Sequence, residues 1–532
     1  VELGLNGTGA GIGRIVLHAT GPGGLDITRD WRITVRPARP AETRLETSQL
    51  HPGETFGAEG SMLAGYVPGT GALSLTYGNG PRIDVAGLSR ALDRWAYGCL
   101  EQTVSRAFPM LASQDFDIDV DVDEAVGRVL DMQRYDGAFG LWSARGNEDA
   151  WATAYAMEFL TRARDAGHPV PEAPWRDGLA WLRLQTEEGG GPAEALAVRA
   201  YALYVLSLSG SARMPALRYY HDALLERMPT PLAKGQLGAA LARGGDMDRA
   251  RSAFASALDK TAREHWTVDY GSTVRDAAAL VVLMREAGVL PERLPELIAL
   301  LPVGTNVADQ TSTQEQAWML RAARSERVGQ TAISLAVDGT LRTLPDPALI
   351  VPAVATPQDR VTLRNAGATP LWQGATFTGV PAAPQPAQRN GMRVSRKFLN
   401  LDGMPTNLDA VHRNDKFVVL LEAEAQTGVE HRALLTHGLP AGWEIETIRL
   451  SGDPATGYEW LGDLSEPEAA EARDDRYVAA VNLTPDSPKV RLAFMVRAVT
   501  PGRYELPGAA MADMYRPTFF ARQAAGRIAV LQ

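Results

Sequence analysis

Hydrophobic and polar positions along the chain fall into three textures. In residues 1–83 they alternate with a period of two, as in "RIVLHA" (14–19) and "WRITVRP" (31–37), with Gly-rich or Pro-rich turns between. That pattern predicts strands with one face covered. From about Asp84 to Arg324 the period becomes helical, and Gly, Pro or Asp break it into segments of 10–17 residues. It predicts helices near 86–97, 99–112, 122–133, 149–165, 173–186, 193–209, 213–226, 231–243, 246–258, 272–287, 291–301 and 311–324. Segment 193–209, "AEALAVRAYALYVLSLS", is apolar almost all round and is expected to be covered on two sides. Segment 272–287 instead gathers Val274, Ala278, Val281 and Met284 on one face.

About twelve helices, fully apolar members alternating with amphipathic ones, predict two concentric layers, an α/α toroid. Strand patterns return in "TAISLAV" (331–337), "RVTLRNAG" (360–367) and "LWQGATFTGVP" (371–381). After the linker "PAAPQPAQRNG" (381–391) come "FVVLLEAEA" (417–425), "RYVAAVNL" (476–483) and "VRLAFMVRAV" (490–499), consistent with an antiparallel sandwich. The expected fold is multidomain α and β. Residues 1–40 end one β domain, 41–83 and 329–382 pair as a split β domain, 84–328 form the helical insertion, and 391–532 form the last sandwich.

Composition adds exclusions. The 532 residues are 45% hydrophobic and 22% charged, ordinary for a globular protein and long enough for two to four domains. A net charge of −10 with no basic stripe argues against a nucleic-acid partner. No run reaches the roughly 18 apolar residues that span a bilayer. The chain begins VELGLNG, without an initiator Met or signal peptide, which points to a fragment or processed form whose targeting information has been removed. One cysteine excludes an intrachain disulfide.

That cysteine stands in "YGCLEQTVSR" (97–106), three residues before Gln102. A lone cysteine is ordinarily an inert buried side chain. At the start of a helix, however, residues three apart share a face, roughly 5–6 Å apart at Cβ. A thiolate at Cys99 can then attack the carboxamide carbon of Gln102, expel ammonia and leave an internal thioester. Placement at a helix N-terminus is expected to lower the thiol pKa. Trp95, Tyr97, Leu100 and Phe108 are the nearby apolar residues available to cover such a bond.

"YGCLEQ" followed by "TVSRAFPML" resembles the thioester segment of the alpha-2-macroglobulin family in its bacterial form. "NGPRIDVAGLSRALDRWAYGCLEQTVSR" resembles the family's entry into its thioester domain, an α/α toroid inserted in a CUB-like β domain. "GDMDRARSAF" and "DYGSTVRDAAALVVLM" resemble later toroid helices; "SRKFLNLDGM", "THGLPAGWEIE" and "DMYRPTFFAR" resemble the terminal macroglobulin-type sandwich. The resemblance implies that Cys99 and Gln102 form the thioester, shielded by Trp95, Tyr97, Leu100, Met514 and Tyr515. Where the bacterial pattern commonly has aromatic–Pro–Tyr before Gly-Cys, this chain has Trp95-Ala96-Tyr97. The function implied is a broad-spectrum protease inhibitor, not an enzyme. A cleaved bait segment triggers a rearrangement, and a lysine amine of the protease attacks the Gln102 acyl carbon. No cofactor or metal is implied. The implied setting is periplasmic, with an inner-membrane lipid anchor upstream and a peptidoglycan-synthesising penicillin-binding protein as a further partner.

Other motifs weigh less. "GTGAGIG" (7–13) fails the GxGxxG spacing and is expected to be a hairpin loop. "DFDIDVDVDE" (115–124) lacks the glycine a calcium loop needs at its sixth position, so it is expected to be a solvated linker in which Asp121 or Asp123 caps the next helix. "QRYDGAFGLW" (133–142) resembles a repeat of squalene-type cyclases, which share the toroid. The alternatives are thus a terpenoid-cyclase-like or prenyltransferase-like enzyme and a thioester adhesion module. His168 and His221 are the histidines to consider for a complement-type acyl transfer, and a lone histidine is ordinarily structural. Their absence from 183–198 favours direct aminolysis.

Overall fold

The structure is a computed structural model and describes residues 4–7, 9–37, 39–79, 83–94, 98–112, 120–302, 307–326, 332–345, 348–453 and 456–532. Strands Gly11–Gly21 and Leu25–Val35 form an antiparallel hairpin with Ile15 opposite Trp31. Its turn is Pro22-Gly23-Gly24, where both glycines take positive φ near 80°. The glycine run at 7–13 was expected to be the hairpin loop; its last three residues instead begin the first strand.

Strands from both sides of the helical region share two sheets. One has the order Glu42–Leu50, Leu371–Gly379, Ala72–Gly78, Ala348–Val354, and the other Thr55–Glu59, Arg360–Asn365, Ile333–Val337, Thr340–Leu344. Leu73, Leu75, Tyr77, Leu335, Leu363 and Phe377 fill the space between. Period-two alternation shows in Arg360–Asn365, which turns Val361, Leu363 and Asn365 inward. Ala72–Gly78 is buried at every position. Helix Val85–Arg94 packs against that sheet, so the strand has cover on both faces.

In the helical region, Leu100–Ala107, Ala150–Asp165, Ala193–Leu208, Pro231–Arg243, Thr273–Ala287 and Thr313–Glu326 each pack on the next, and the last returns to the first. Other helices, including Val122–Leu130, Glu172–Gln185 and Met247–Leu258, lie against that ring. The all-round apolar sequence of Ala193–Leu208 is answered by burial from Leu196 to Leu206 without interruption. Caps punctuate the ring: Asp149, Thr230 and Ser272 each accept a backbone N–H of the helix they precede, and Gly288 ends Thr273–Ala287 in the left-handed conformation.

Proline accounts for two departures from the expected helices. The segment expected over 99–112 is α-helical only at Leu100–Ala107, then a 3₁₀ turn over Phe108–Ala112, because Pro109 lacks an N–H and its ring crowds the preceding turn. The segment expected over 291–301 splits at Pro291 and Pro295 into a turn, Pro291–Arg293, and a short helix, Leu294–Ile298. Residues 95–97, at the end of the first expected helix, lie outside the described residues.

At the C-terminal end, a six-stranded sheet faces a four-stranded one. In the first, Phe520–Arg522, Ala509–Asp513, His431–Gly438 and Arg476–Leu483 are the central strands. Successive side chains point to opposite faces and so serve two cores. Leu435, Ala479 and Val481 enter the space between the sheets, while Leu434, Val478 and Ala480 pack on the helical region. The apolar run at 417–425 is explained likewise. Phe417, Val419 and Leu421 face the sandwich interior, and Val418 and Leu420 join a smaller cluster with Leu461.

Candidate functional site

Gly98 has φ +77°, a conformation only glycine adopts cheaply, and it turns the chain so that Cys99 becomes the N-cap of Leu100–Ala107. The Gln102 backbone N–H donates to Cys99 Sγ at 3.4 Å. Leu100 N–H donates to the Leu141 carbonyl at 2.8 Å, so the "QRYDGAFGLW" loop holds the helix start in place. That loop is itself tied down where Gln133 Nε2 donates to the Pro174 carbonyl at 2.9 Å.

Cys99 and Gln102 are 0% and 2% exposed. Both carboxamide heteroatoms of Gln102 are buried without a hydrogen-bond partner among the described residues. Leaving them so costs about 1–3 kcal/mol apiece, which favours any chemistry that removes the carboxamide. The thiol pKa was expected to fall at a helix N-terminus. It is raised instead, first by burial and second by the nearby Glu101, which together outweigh the Gln102 N–H and the Tyr515 hydroxyl.

Glu101 is fully buried. Ser105 Oγ donates to it at 2.5 Å, Gln314 Nε2 at 2.9 Å, and Thr313 Oγ1 to both oxygens at 2.9 and 3.1 Å. Burial raises its pKa against the pull of these donors and of Tyr515. Thr313 and Gln314 belong to the last helix of the ring, which therefore meets the first at this carboxyl group.

The lid over the site comes from the C-terminal sandwich. Asp513 accepts from the backbone N–H groups of Tyr515 and Arg516 at 2.8 and 2.9 Å, and its other oxygen meets His431 Nδ1 at 2.7 Å. Burial pushes the Asp513 pKa up, but His431, Arg516 and the Tyr515 N–H more than offset it and hold the group below the usual carboxylate range. The turn so fixed presents Met514 and Tyr515, both buried in the same apolar cluster as Leu100. Tyr515 packs on Tyr270 with ring centroids 4.7 Å apart. Its hydroxyl favours the charged forms of both Cys99 and Glu101 and has no hydrogen-bond partner among the described residues. Tyr270, itself at φ +54°, donates to Asp149 and accepts from Arg432 Nη1 at 2.6 Å.

Of the residues singled out in the sequence, Cys99, Gln102, Leu100, Met514 and Tyr515 are thus buried at this one locality. Trp95 and Tyr97 lie outside the described residues. His168 and His221 pair with Asp123 and Asp222. Asp121 caps Val122–Leu130, and residues 113–119 of the acidic run lie outside the described residues. Glu101, Tyr270, Arg432 and Asp513 were not singled out. Glu101 and Asp513 each have a partner within four residues, but the contacts that tie them to the site, like those of Tyr270 and Arg432, lie on distant segments.

Comparison with known proteins places this arrangement in a class. The family model "Bacterial Alpha-2-macroglobulin MG10 domain" matches residues 391–518. The alpha-2-macroglobulin of Escherichia coli K12 is 34% identical over 95% of this chain and 33% of its own length. The crystal structure of native E. coli alpha-2-macroglobulin from domain MG7 to the C-terminus superposes with a TM-score of 0.86 at 30% identity, over 98% of this chain and 88% of that one. The Salmonella alpha-2-macroglobulin reacted with methylamine gives 0.84 at 30% identity, over 98% of this chain and 36% of that one. The class is a macroglobulin-type assembly of β-sandwiches around a helical block. The chain belongs to the bacterial alpha-2-macroglobulin family, and it spans about a third of the length of the curated relatives it matches.

Proposed function

We propose that this chain carries the reactive part of an α2-macroglobulin-type protease trap, with an internal thioester between Cys99 and Gln102. The observation that supports it most directly is the burial of both side chains, three residues apart at a helix start, beneath Met514 and Tyr515. A thioester needs such cover, because water would otherwise hydrolyse it.

In this reading the closed ring of helices is an α/α toroid, the sheets shared by 42–78 and 333–379 are a split CUB-like domain, the N-terminal hairpin is the end of one macroglobulin-type domain, and the C-terminal β region is a macroglobulin-type sandwich. A protease cuts a bait segment elsewhere in the protein, and the sandwich lifts from the ring. A protease lysine amine then attacks the Gln102 acyl carbon, forming an isopeptide bond and freeing the Cys99 thiol. Capture is stoichiometric, so the protein is an inhibitor without turnover. The Salmonella relative's reaction with methylamine supports attack by amines. The proposed location is the periplasm, anchored to the inner membrane in the full-length protein, with a peptidoglycan-synthesising penicillin-binding protein as a partner to be sought by co-purification.

Intact mass spectrometry tests the proposal. The native protein is expected to be lighter than its sequence by one ammonia. Methylamine is expected to add as one adduct and release one titratable thiol, and Cys99→Ala to abolish both changes. An unmodified mass, with Cys99 fully titratable before amine treatment, would overturn it.

A further inference from the structure

The end of the ring away from Cys99 holds a cleft of about 790 Å³, within the usual range for small-molecule sites. Cys99 and Phe108 flank opposite ends of helix Leu100–Ala107, whose eight residues rise about 12 Å, so the cleft and the thioester segment are separate places. Phe108, Pro109, Leu111, Val282, Met284 and Leu294 make its apolar wall. Arg162 and Arg321 stand in the same lining.

One carboxylate fixes both arginines. Arg162 Nε and Arg321 Nη2 each donate to Glu158 Oε1 at 3.0 Å, and Tyr201 donates to the other oxygen at 2.5 Å. Glu158 is fully buried, so the two guanidinium groups are held side by side. Arg321 also lies between two aromatic rings, 3.9 Å from the centre of Phe108 and 3.8 Å from that of Trp318. Rings cover the faces of a guanidinium and leave its N–H edges to find acceptors. Arg321 Nη2 has Glu158. Its Nη1 is buried without a hydrogen-bond partner among the described residues, in a side chain only 9% exposed. A buried donor without an acceptor is destabilising, and arginine cannot shed its proton to escape the cost. Arginines at helix C-termini ordinarily complement the helix dipole, yet Arg321 lies more than a turn before the end of Thr313–Glu326.

We propose that this cleft binds a small monocarboxylate with an apolar chain. The planar carboxylate suits paired guanidinium edges and accepts from Arg321 Nη1 and from Arg162, while the chain lies along Leu111, Val282 and Met284. The head carries one charge because two carboxylates already stand beside it. Glu286 accepts from Arg162 Nη2 at 2.8 Å, and Asp165 lies in the lining one turn beyond Arg162, so a second negative charge would be repelled. Arg285 and Arg324 complete the lining and have partners of their own. The site does not depend on the thioester reading.

Isothermal titration calorimetry of the whole protein with sodium decanoate tests the proposal. One saturable site is expected with decanoate. None is expected with acetate, which lacks the chain, or with decanol, which lacks the charge. Arg321→Met should weaken decanoate about 10-fold or more, the usual worth of a hydrogen bond to a charged group. Arg162 and Tyr201 still hold Glu158 in that variant. Leu111→Glu, at a half-buried wall position, should abolish binding by placing a carboxylate beside the chain. If Arg321→Met does not fold, Leu111→Glu and the decanol comparison decide. Absence of saturable decanoate binding up to about 1 mM overturns the site. Binding that decanol reproduces, or that survives the substitutions unchanged, is unspecific adsorption and overturns it equally.

Discussion

Replacing Arg432 with Met tests whether the proposed thioester is reached by lifting the sandwich from the ring. The Arg432 guanidinium reaches across from strand His431–Gly438, donates to Tyr270 at 2.6 Å, lies 4.8 Å from the centre of that ring and stands 3.6 Å from Asp149. A charge-assisted hydrogen bond is worth about 1.5–3 kcal/mol and the cation–π contact about 0.5–1 kcal/mol. The ion pair adds little, since the arginine is a quarter exposed. Methionine keeps the apolar stem. Asp149 keeps the Tyr270 hydroxyl and the helix N-terminus it caps, so little charge is stranded. The net loss is about 2 kcal/mol, which makes opening roughly 30-fold more frequent. With excess methylamine, the first-order release of the Cys99 thiol is expected to quicken by that factor. A rate within about threefold of wild type, in a variant that folds normally, would mean that amines do not enter through this interface.

Four further outcomes are expected. Met514→Ala should speed methylamine attack and lower the unfolding free energy from urea denaturation by about 2–4 kcal/mol, because Met514 is buried and borders a cavity of about 170 Å³ at the same interface. Gly98→Ala should lower the fraction of chains lacking one ammonia by mass, since a Cβ at φ +77° is strained and would sit 2.5 Å from Arg128 Nη2. Arg275→Met should cost about 3 kcal/mol in urea denaturation, because this fully buried arginine pairs with Asp269 and Asp276 at 2.6 and 2.7 Å; the loss lies at the low end for a broken buried pair, since Arg263 still reaches the same carboxylates at 2.7 and 2.9 Å. Stability should also fall on acidification. His265 is held neutral by burial and the Arg516 charge, down to about 4 from an ordinary 6.5. Its contribution, about 3 kcal/mol, is complete above pH 6.5 and lost as pH drops towards 4. Protonation of Glu101 and Glu315, both raised by burial, works the other way. The decisive measurement is therefore the difference between wild type and His265→Gln, whose denaturation midpoint should lose less over that window.

Much of the scaffold was readable because its cause is local. Period-two runs became strands, and the apolar segment 193–209 became a helix buried on all sides. The spacing of Cys99 and Gln102 marked a helix start, and Cys99 is indeed the N-cap. What could not be read was the surroundings that reverse the local rule. A helix N-terminus lowers a thiol pKa, but burial, which depends on segments far along the chain, reverses the sign, and Glu101 two residues on adds to it. The same holds for Tyr270. Its positive φ and its contacts with Asp149, Arg432 and Tyr515 join three distant stretches of sequence, and nothing within "VDYGST" foretells them.

The seam where the last helix of the ring meets the first has a bearing on how the protein is made. A ribosome delivers Glu101 long before Thr313, which follows it by 212 residues, and Tyr515 later still. While the chain emerges, the cysteine has neither the donors that hold its neighbouring carboxyl nor the hydroxyl above it. On the thioester reading, a bond closed before synthesis is complete would stand without the cover of the C-terminal sandwich.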